Sequence, residues 1–135
     1  IGKYYLENKD YISLTDNFIE ELYSFKYEKV LFKPTKASKK QFRKNKNEFI
    51  SYFIGHNKIS DEDKGFALEP YKDIQFENFD FSVFENMIIS MGNYFFTNYE
   101  DEKIKVEYSF GYILDKKEDE LRIIFHHSSI PYNID

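Results

Sequence analysis

The spacing of apolar residues changes at Gly65 and divides the chain into a helical part and a strand-rich part. Before Gly65, apolar side chains recur at intervals of three and four, the period of an amphipathic helix. The first long helix is predicted to follow Asp10, a residue type that commonly caps helices. Its apolar stripe, which we expect to pack in the core, consists of Tyr11, Leu14, Phe18, Leu22 and Phe25.

A second helix is predicted between Ser38 and Gly55. Ser38 and Gln41 have the spacing of a capping box, and Gly55 is a typical C-terminal stop. The segment between the two helices contains a short apolar strand candidate at 30–32, which Pro34 ends because proline cannot donate to a strand ladder. The apolar stripe of the second helix consists of Phe42, Phe49 and Phe53.

Beyond Gly65, aromatic and branched residues alternate with other residues at the period of two that is typical of β-strands. The clearest alternation covers 104–114, and a polar turn at 115–120 separates it from a last apolar strand that starts at Leu121. Helices followed by consecutive strands indicate an α+β fold, with helices on one face of an antiparallel sheet. We expect one domain over 1–135.

The last two strands are predicted to form a hairpin around the turn at 115–120. Matching the apolar face of one strand to that of the other pairs Leu114 with Leu121 and Phe110 with Phe125. A slip of one residue would place the apolar set against a mixed set, so the matched register is the better hypothesis.

The last strand ends in paired histidines and paired serines, and neighbouring strand residues point to opposite faces. In the matched register, His127 and Ser129 continue the apolar face, at one end of an aromatic cavity of the kind that binds small molecules. His126 and Ser128 would then face outward. A histidine at a strand end is also compatible with a purely structural, hydrogen-bonded role.

Composition excludes several kinds of site and partner. The chain has no Cys, and His126 and His127 diverge, so we expect no metal site and no thiolate chemistry. A net charge of −5 argues against a nucleic-acid partner, and no apolar run is long enough for a membrane span. The basic run at 39–46 is either a solvated face or a positive potential that attracts a small anion. No targeting segment is visible, and the start at Ile1 rather than Met is compatible with an N-terminally trimmed chain. We expect a soluble chain of unknown compartment.

An ordered set of short motifs resembles the iota-class carbonic anhydrases over roughly residues 28–132. The motifs are Lys33-Pro34-Thr35, Gln41-Phe42-Arg43, Ser51-Tyr52-Phe53, Asp63-Lys64-Gly65-Phe66-Ala67, Met91-Gly92-Asn93-Tyr94-Phe95-Phe96-Thr97, Val106-Glu107-Tyr108-Ser109-Phe110-Gly111-Tyr112 and His126-His127-Ser128-Ser129-Ile130-Pro131-Tyr132. The resemblance implies a cone-shaped nuclear-transport-factor-two-like fold, also found in the association domain of calcium/calmodulin-dependent kinase, with N-terminal helices packed on a curved antiparallel sheet. Fold alone does not settle function.

The resemblance further implies reversible hydration of CO2 to bicarbonate without a metal or other cofactor. Its site residues, carried over by motif, are Thr35, Tyr52, His127 and Ser129, with His126 and Ser128 as the alternative for the opposite strand parity.

In the expected mechanism, Tyr52 and His127 orient and deprotonate a water, with His127 near neutral pKa as the base. Thr35 and Ser129 donate hydrogen bonds to the developing oxygens. The small-molecule substrate is CO2 or bicarbonate, and the expected assembly is a homodimer. The competing hypotheses are a non-catalytic binding or association module, and an isomerase or dehydratase that would need a buried carboxylate, for which Glu107 is the nearest candidate.

Overall fold

A computed structural model describes residues 1–69 and 71–133 and confirms the predicted order, with helices before strands. The helices are α1 (Gly2–Leu6), α2 (Tyr11–Leu22) and α3 (Lys46–Ile54), followed by a 3-10 turn at Phe66–Leu68. The strands are β1 (Leu31–Lys33), β2 (Tyr71–Phe84), β3 (Met87–Asn98), β4 (Lys103–Asp115) and β5 (Glu120–Ser129). No helix in this part of the chain is both long and apolar enough to cross a bilayer.

The five strands form one sheet in the order β1-β5-β4-β3-β2. Neighbouring long strands are antiparallel, as predicted, whereas β1 runs parallel to β5 and pairs Leu31 with Phe125 and Lys33 with His127. Because the chain leaves β1 beside the end of β5, the segment with Pro34 and Thr35 lies next to the paired histidines and serines.

The buried face of α2 differs from the predicted stripe. Asp10 caps the helix as expected, since its carboxylate accepts the Ser13 backbone N–H at 3.0 Å. Phe18 and Leu22, however, are each 39% exposed, so their assignment to the core is wrong. The buried face lies one position further along, about 100° around the helix, and consists of Thr15, Ile19 and the helix-ending Tyr23.

The second predicted helix begins later than expected. It starts at Lys46, where Asn45 accepts the Glu48 backbone N–H at 3.0 Å, and not after Ser38. The reason lies in Glu62, whose carboxylate accepts the backbone N–H groups of residues 38–40 at 2.6–3.2 Å and holds them in a loop. Phe42 is consequently 72% exposed rather than part of an apolar stripe. Gly55 ends the helix in the left-handed region, φ 66°, as predicted.

The basic run at 39–46 is largely paired with carboxylates. Lys40 forms an ion pair with Glu48 at 2.7 Å, Lys39 contacts Asp61, and Lys46 lies between Asp16 and Glu20. These pairs make the run a solvated, neutralised face, which weakens the case that it attracts a small anion.

A fully buried ion pair joins this loop to the segment before the sheet. Arg43 donates two hydrogen bonds to the carboxylate of Asp63, at 2.6 and 2.8 Å, and the Ser51 hydroxyl donates a third. The guanidinium also lies 5.6 Å from the ring centroid of Tyr52. This pair therefore fixes the face of α3 that points into the core.

A one-residue bulge in β5 changes the predicted hairpin register. Leu114 pairs with Leu121, as expected, but Tyr112 pairs with Ile123 and Gly111 pairs with Phe125, which leaves Ile124 as the extra residue. Beyond this β-bulge every side chain of β5 is displaced by one position relative to β4. The predicted pairing of Phe110 with Phe125 is therefore wrong.

Candidate functional site

The bulge reverses the predicted faces of the two His-x-Ser pairs. Phe110 pairs with His126 and Tyr108 with Ser128, so His126 and Ser128 lie on the apolar, helix-covered face. They are 9% and 1% exposed, respectively. The expectation that His127 and Ser129 continue this face is wrong, because the extra residue Ile124 shifts the alternation of β5.

His126 is held between two aromatic rings. The ring centroid of Phe32 in β1 lies 4.5 Å from that of the imidazole on one side, and the ring of Phe110 in β4 lies at 4.3 Å. Burial among these rings, with a smaller effect from neighbouring His127, lowers the pKa of His126 to about 3. The imidazole is therefore neutral at physiological pH, because desolvation disfavours the charged form.

A continuous chain of hydrogen bonds runs through this imidazole. The Tyr23 hydroxyl lies 2.9 Å from Nδ1 of His126, and Nε2 lies 2.9 Å from Oγ of Ser128. Oγ of Ser128 in turn lies 2.5 Å from the hydroxyl of Tyr94. We call this row of four residues the Tyr23–Tyr94 chain. It links the end of α2 to strand β3 through the core.

Thr35 lies at the outer end of the chain. Burial raises the pKa of the Tyr94 phenol, and hydrogen bonds with Ser128 and then Thr35 act in the opposite direction by stabilising its charged form. Thr35 is partly exposed, whereas Tyr94 and Ser128 are buried. Thr35 is therefore the member of this group that is most open to solvent.

Tyr52 supports the same corner from α3. Its hydroxyl accepts a hydrogen bond from the backbone N–H of Lys36 at 3.1 Å. This hydrogen bond positions the loop that contains Thr35. Its ring stacks on Phe66 at 5.6 Å. Burial raises the pKa of the Tyr52 phenol, with a contribution from the nearby Tyr94 hydroxyl, so Tyr52 stays protonated.

The structure thus brings together Thr35, Tyr52 and the alternative pair, His126 and Ser128. It also adds two residues that sequence reasoning did not assign, Tyr23 and Tyr94. Tyr94 belongs to one of the motifs that carry the resemblance. Tyr23 lies one helical turn after Ile19, on the same buried face. A buried tyrosine usually has a hydrogen-bond partner for its hydroxyl, so a tyrosine on an apolar face could have indicated these two residues.

His127 and Ser129 lie on the opposite, outer face of the sheet. They line a shallow groove of about 410 Å³ together with Glu107, Ser109, Phe79, Met91, Gly92, Asn93 and Tyr108. Glu107, the nearest candidate for the buried carboxylate of an isomerase or dehydratase, is exposed in this groove and not buried. His56, the third histidine, is exposed in the loop after α3. Within residues 1–69 and 71–133, no three His, Asp or Glu side chains are arranged to hold a metal ion.

A second cavity, of about 340 Å³, lies on the inner face next to the Tyr23–Tyr94 chain. Its lining is mostly aromatic and consists of Phe76, Phe81, Tyr108, Phe110 and Tyr112 with Asn78, Asp80 and Ser90. Two of these rings connect it to the chain, since Tyr108 stacks on Tyr94 at 5.7 Å and Phe110 contacts His126. An apolar space therefore adjoins a row of polar groups.

Comparison with known proteins gives relatives over most of the chain. The family model described as "Metal-independent carbonic anhydrase" matches residues 1–130. A protein of that name from Nostoc sp. is 35% identical over 121 residues, which cover 89% of this chain and 58% of the relative. The chain thus spans little more than half the length of this relative.

Solved structures show the same fold. The iota-carbonic anhydrase from a cyanobacterium, complexed with bicarbonate, is 33% identical with a TM-score of 0.84, covering 90% of this chain and 74% of that one. A calcium/calmodulin-dependent protein kinase type II association domain from Thiobacillus denitrificans has a TM-score of 0.61 at 10% identity, covering 96% and 90% of the two chains. These likenesses confirm the predicted α+β, nuclear-transport-factor-two-like fold.

Proposed function

Since the chain belongs to the metal-independent carbonic anhydrase family, we propose that it catalyses the reversible hydration of CO2 to bicarbonate beside the Tyr23–Tyr94 chain. The observation that carries the proposal is the joint placement of Thr35, Tyr52, His126 and Ser128 around one corner of the core. Three elements distant in sequence, the loop after β1, α3 and the end of β5, supply these side chains.

The proposed substrate position lies beside Thr35 and Tyr94, at the partly exposed end of the chain. The bicarbonate-complexed relative supports an anion of this size as ligand. The aromatic rings of the adjoining inner cavity, Tyr108 and Phe110, provide an apolar surface for CO2. Apolar surroundings strengthen the hydrogen bonds made to a charge that develops beside them.

Hydration forms one bond and releases one proton. The oxygen of a bound water forms a bond to the carbon of CO2, and the electron pair of one C=O bond moves to its oxygen. That oxygen becomes the negative oxygen of bicarbonate, and the water gives up one proton to solvent. Thr35, Tyr94 and Tyr52 donate hydrogen bonds to the oxygens that gain charge, and a donor of this kind typically contributes ~10²–10³ in rate.

His126 has a different role from the base expected for the site histidine. Its pKa of about 3 means that it carries no charge at neutral pH and attracts protons weakly. The neutral imidazole instead orients Ser128, which in turn orients the Tyr94 hydroxyl. Preorganised hydroxyls, rather than a proton-accepting histidine, would then produce the rate enhancement.

We further propose that the protein is a homodimer that pairs through the outer face of the sheet. Exposed apolar side chains on β2 and β3, among them Phe84, Met87, Ile89 and Met91, form a patch on that face. A two-fold axis brings the same patch from a second copy, so each copy buries the other's apolar residues. Sedimentation of wild type and Ile89→Lys tests this, since the variant should sediment as a monomer if the patch is the interface.

Stopped-flow measurement of CO2 hydration with a metal chelator present tests the proposed activity. Adjacent residues on opposite faces provide matched variants: Ser128→Ala and His126→Gln alter the buried pair, and Ser129→Ala and His127→Gln alter the outer pair. Ser128→Ala is expected to lower kcat by ~10²-fold or more, whereas Ser129→Ala should keep the wild-type rate. Far-UV circular dichroism establishes that each variant is folded.

Three outcomes would contradict the proposal, each in a different way. Loss of activity on chelation would show that the reaction needs a metal. Loss confined to Ser129→Ala and His127→Gln would move the site to the outer groove. A folded wild type without hydration activity at any pH would favour a non-catalytic binding module.

A further inference from the structure

Tyr23 ends α2 with its hydroxyl enclosed against the imidazole of His126. Its side chain is 3% exposed, and its ring lies nearly parallel to the imidazole, at 20° and 6.2 Å between centroids. The hydroxyl lies 2.9 Å from Nδ1. Across residues 1–69 and 71–133, the Tyr23 hydroxyl has no hydrogen-bond partner besides this nitrogen.

A phenol has one proton to donate, and burial raises the pKa of Tyr23, so that proton stays on the oxygen. Leaving a buried donor without an acceptor costs about as much as the desolvation of the group. The Tyr23 hydroxyl therefore donates to Nδ1, which must carry no proton. A neutral imidazole then bears its proton on Nε2, and Nε2–H donates to Oγ of Ser128.

The direction continues outward from Ser128. Its oxygen accepts from the imidazole, so its own proton is directed to the Tyr94 oxygen 2.5 Å away. The Tyr94 proton is not used within the chain and is available at the end where Thr35 lies. Each hydrogen bond from the end of α2 to β3 thus has the same direction.

We infer that Tyr23 is a positioning residue, which fixes the tautomer of His126 and through it makes Tyr94 a hydrogen-bond donor toward the site. The catalytic consequence rests on the proposed function. In the opposite direction, Tyr94 would give its proton to Ser128 and offer only lone pairs to the substrate. It could then orient a water but could not stabilise a negative oxygen.

Nitrogen NMR of the imidazole tests this inference without reference to activity. Because the chain has 3 His, a variant with both His56→Gln and His127→Gln retains His126 as its single histidine, and both replaced side chains are exposed. In ¹⁵N-histidine-labelled protein, protonated and unprotonated ring nitrogens have well separated chemical shifts. We expect a protonated Nε2 and an unprotonated Nδ1.

Tyr23→Phe in this background keeps the ring, which packs against Phe49 at 5.0 Å, and removes only the hydroxyl. Without the donor to Nδ1, the ratio of the Nδ1–H to the Nε2–H tautomer should rise about tenfold. Tyr71→Phe serves as the control, because the Tyr71 ring packs on Phe96 and its hydroxyl lies outside the chain of hydrogen bonds. The control spectrum should match that of its parent.

The outcomes separate this inference from the proposed activity. A protonated Nδ1 in the parent, which can be observed even if Tyr23→Phe does not fold, would overturn it. An unchanged tautomer ratio in folded Tyr23→Phe would also overturn it. If the protein hydrates CO2, folded Tyr23→Phe should lose kcat while Tyr71→Phe does not. If it does not hydrate CO2, the nitrogen shifts still decide whether Tyr23 sets the tautomer.

Discussion

The buried imidazole of His126 should make the folded chain sensitive to mild acid. Its pKa is about 3 in the folded protein and 6.5 as the ordinary value, which we take for the unfolded chain. Below pH 6.5 the unfolded chain binds a proton that the folded chain does not. The stabilising effect of a neutral His126 is therefore fully present above pH 6.5 and is lost as the pH falls toward 3.

The magnitude follows from the difference between the two pKa values. Each pH unit inside the window costs ~1.4 kcal/mol of unfolding free energy. Between pH 6.5 and pH 5 the loss is ~2 kcal/mol, and over the whole window it is ~5 kcal/mol. The unfolding free energy of a typical domain is only ~5–15 kcal/mol, so a loss of this size is readily measured.

The carboxylates act at lower pH and leave this window clear. The pKa values of Asp115 and Glu62 are both lowered to about 2, mainly by a hydrogen bond from Arg122 and by the Ser38 backbone N–H, respectively. The unfolded chain protonates such groups near pH 4, so the stability they contribute is lost below pH 4. The change in unfolding free energy between pH 4.5 and 6.5 therefore comes chiefly from His126.

Urea unfolding followed by far-UV circular dichroism at pH 7, 6 and 5 provides the measurement. Wild type should lose free energy below pH 6.5, His126→Gln should lose much less, and His127→Gln should follow wild type because its side chain is exposed. A wild-type unfolding free energy that is equal at pH 7 and pH 5 would refute the reasoning. An equal slope in wild type and His126→Gln would refute it as well.

Two further substitutions test the packing around the site. Asp63→Asn should lower the unfolding free energy by ~3–5 kcal/mol, because it leaves the guanidinium of Arg43 buried without its counter-charge. Asp61→Asn, which alters an exposed ion pair, should cost less than ~1 kcal/mol. Equal losses for the two variants in urea titrations would contradict this prediction. Gly92→Ala should lower the unfolding free energy by ~1–3 kcal/mol and lower Tm, since a Cβ there would lie 2.5 Å from the Glu77 carbonyl oxygen. An unchanged Tm would show that the close contact of β2 with β3 at Gly92 does not contribute to stability.

The fold could be predicted because it depends on patterns that act over many residues. The change from helical to strand spacing at Gly65 located the boundary, and the Asp10 cap and the Gly55 stop are local rules that the structure obeys. The start of α3 could not be predicted in this way. The Glu62 carboxylate accepts hydrogen bonds from the backbone of residues 38–40, about twenty positions earlier in the chain. Local capping rules cannot predict a contact between residues so far apart in sequence.

The site was predicted in part, and its error has one cause. Thr35 and Tyr52 lie in the same corner of the core as His126 and Ser128, and their catalytic roles stay a prediction. The faces of the two His-x-Ser pairs are reversed by a single extra residue in β5. The sequence contained one sign of this irregularity, a glycine inside a regular strand pattern. A Cβ at Gly111 would lie 3.1 Å from the Cβ of Phe125, so the glycine permits the close pairing that follows the bulge.

The extra residue in β5 decides which of the two His-x-Ser pairs faces the helices. With Ile124 extruded, His126 and Ser128 face the helices; with Ile124 paired, His127 and Ser129 would do so. Because each of the two residue types is doubled, both alignments bury one histidine and one serine, and the motif cannot distinguish them. In the observed alignment, the rings of Phe32 and Phe110 enclose the buried imidazole, and two tyrosine hydroxyls contact the buried histidine and serine. The side chains that surround the tandem, and not the tandem itself, therefore distinguish the histidine that enters the core.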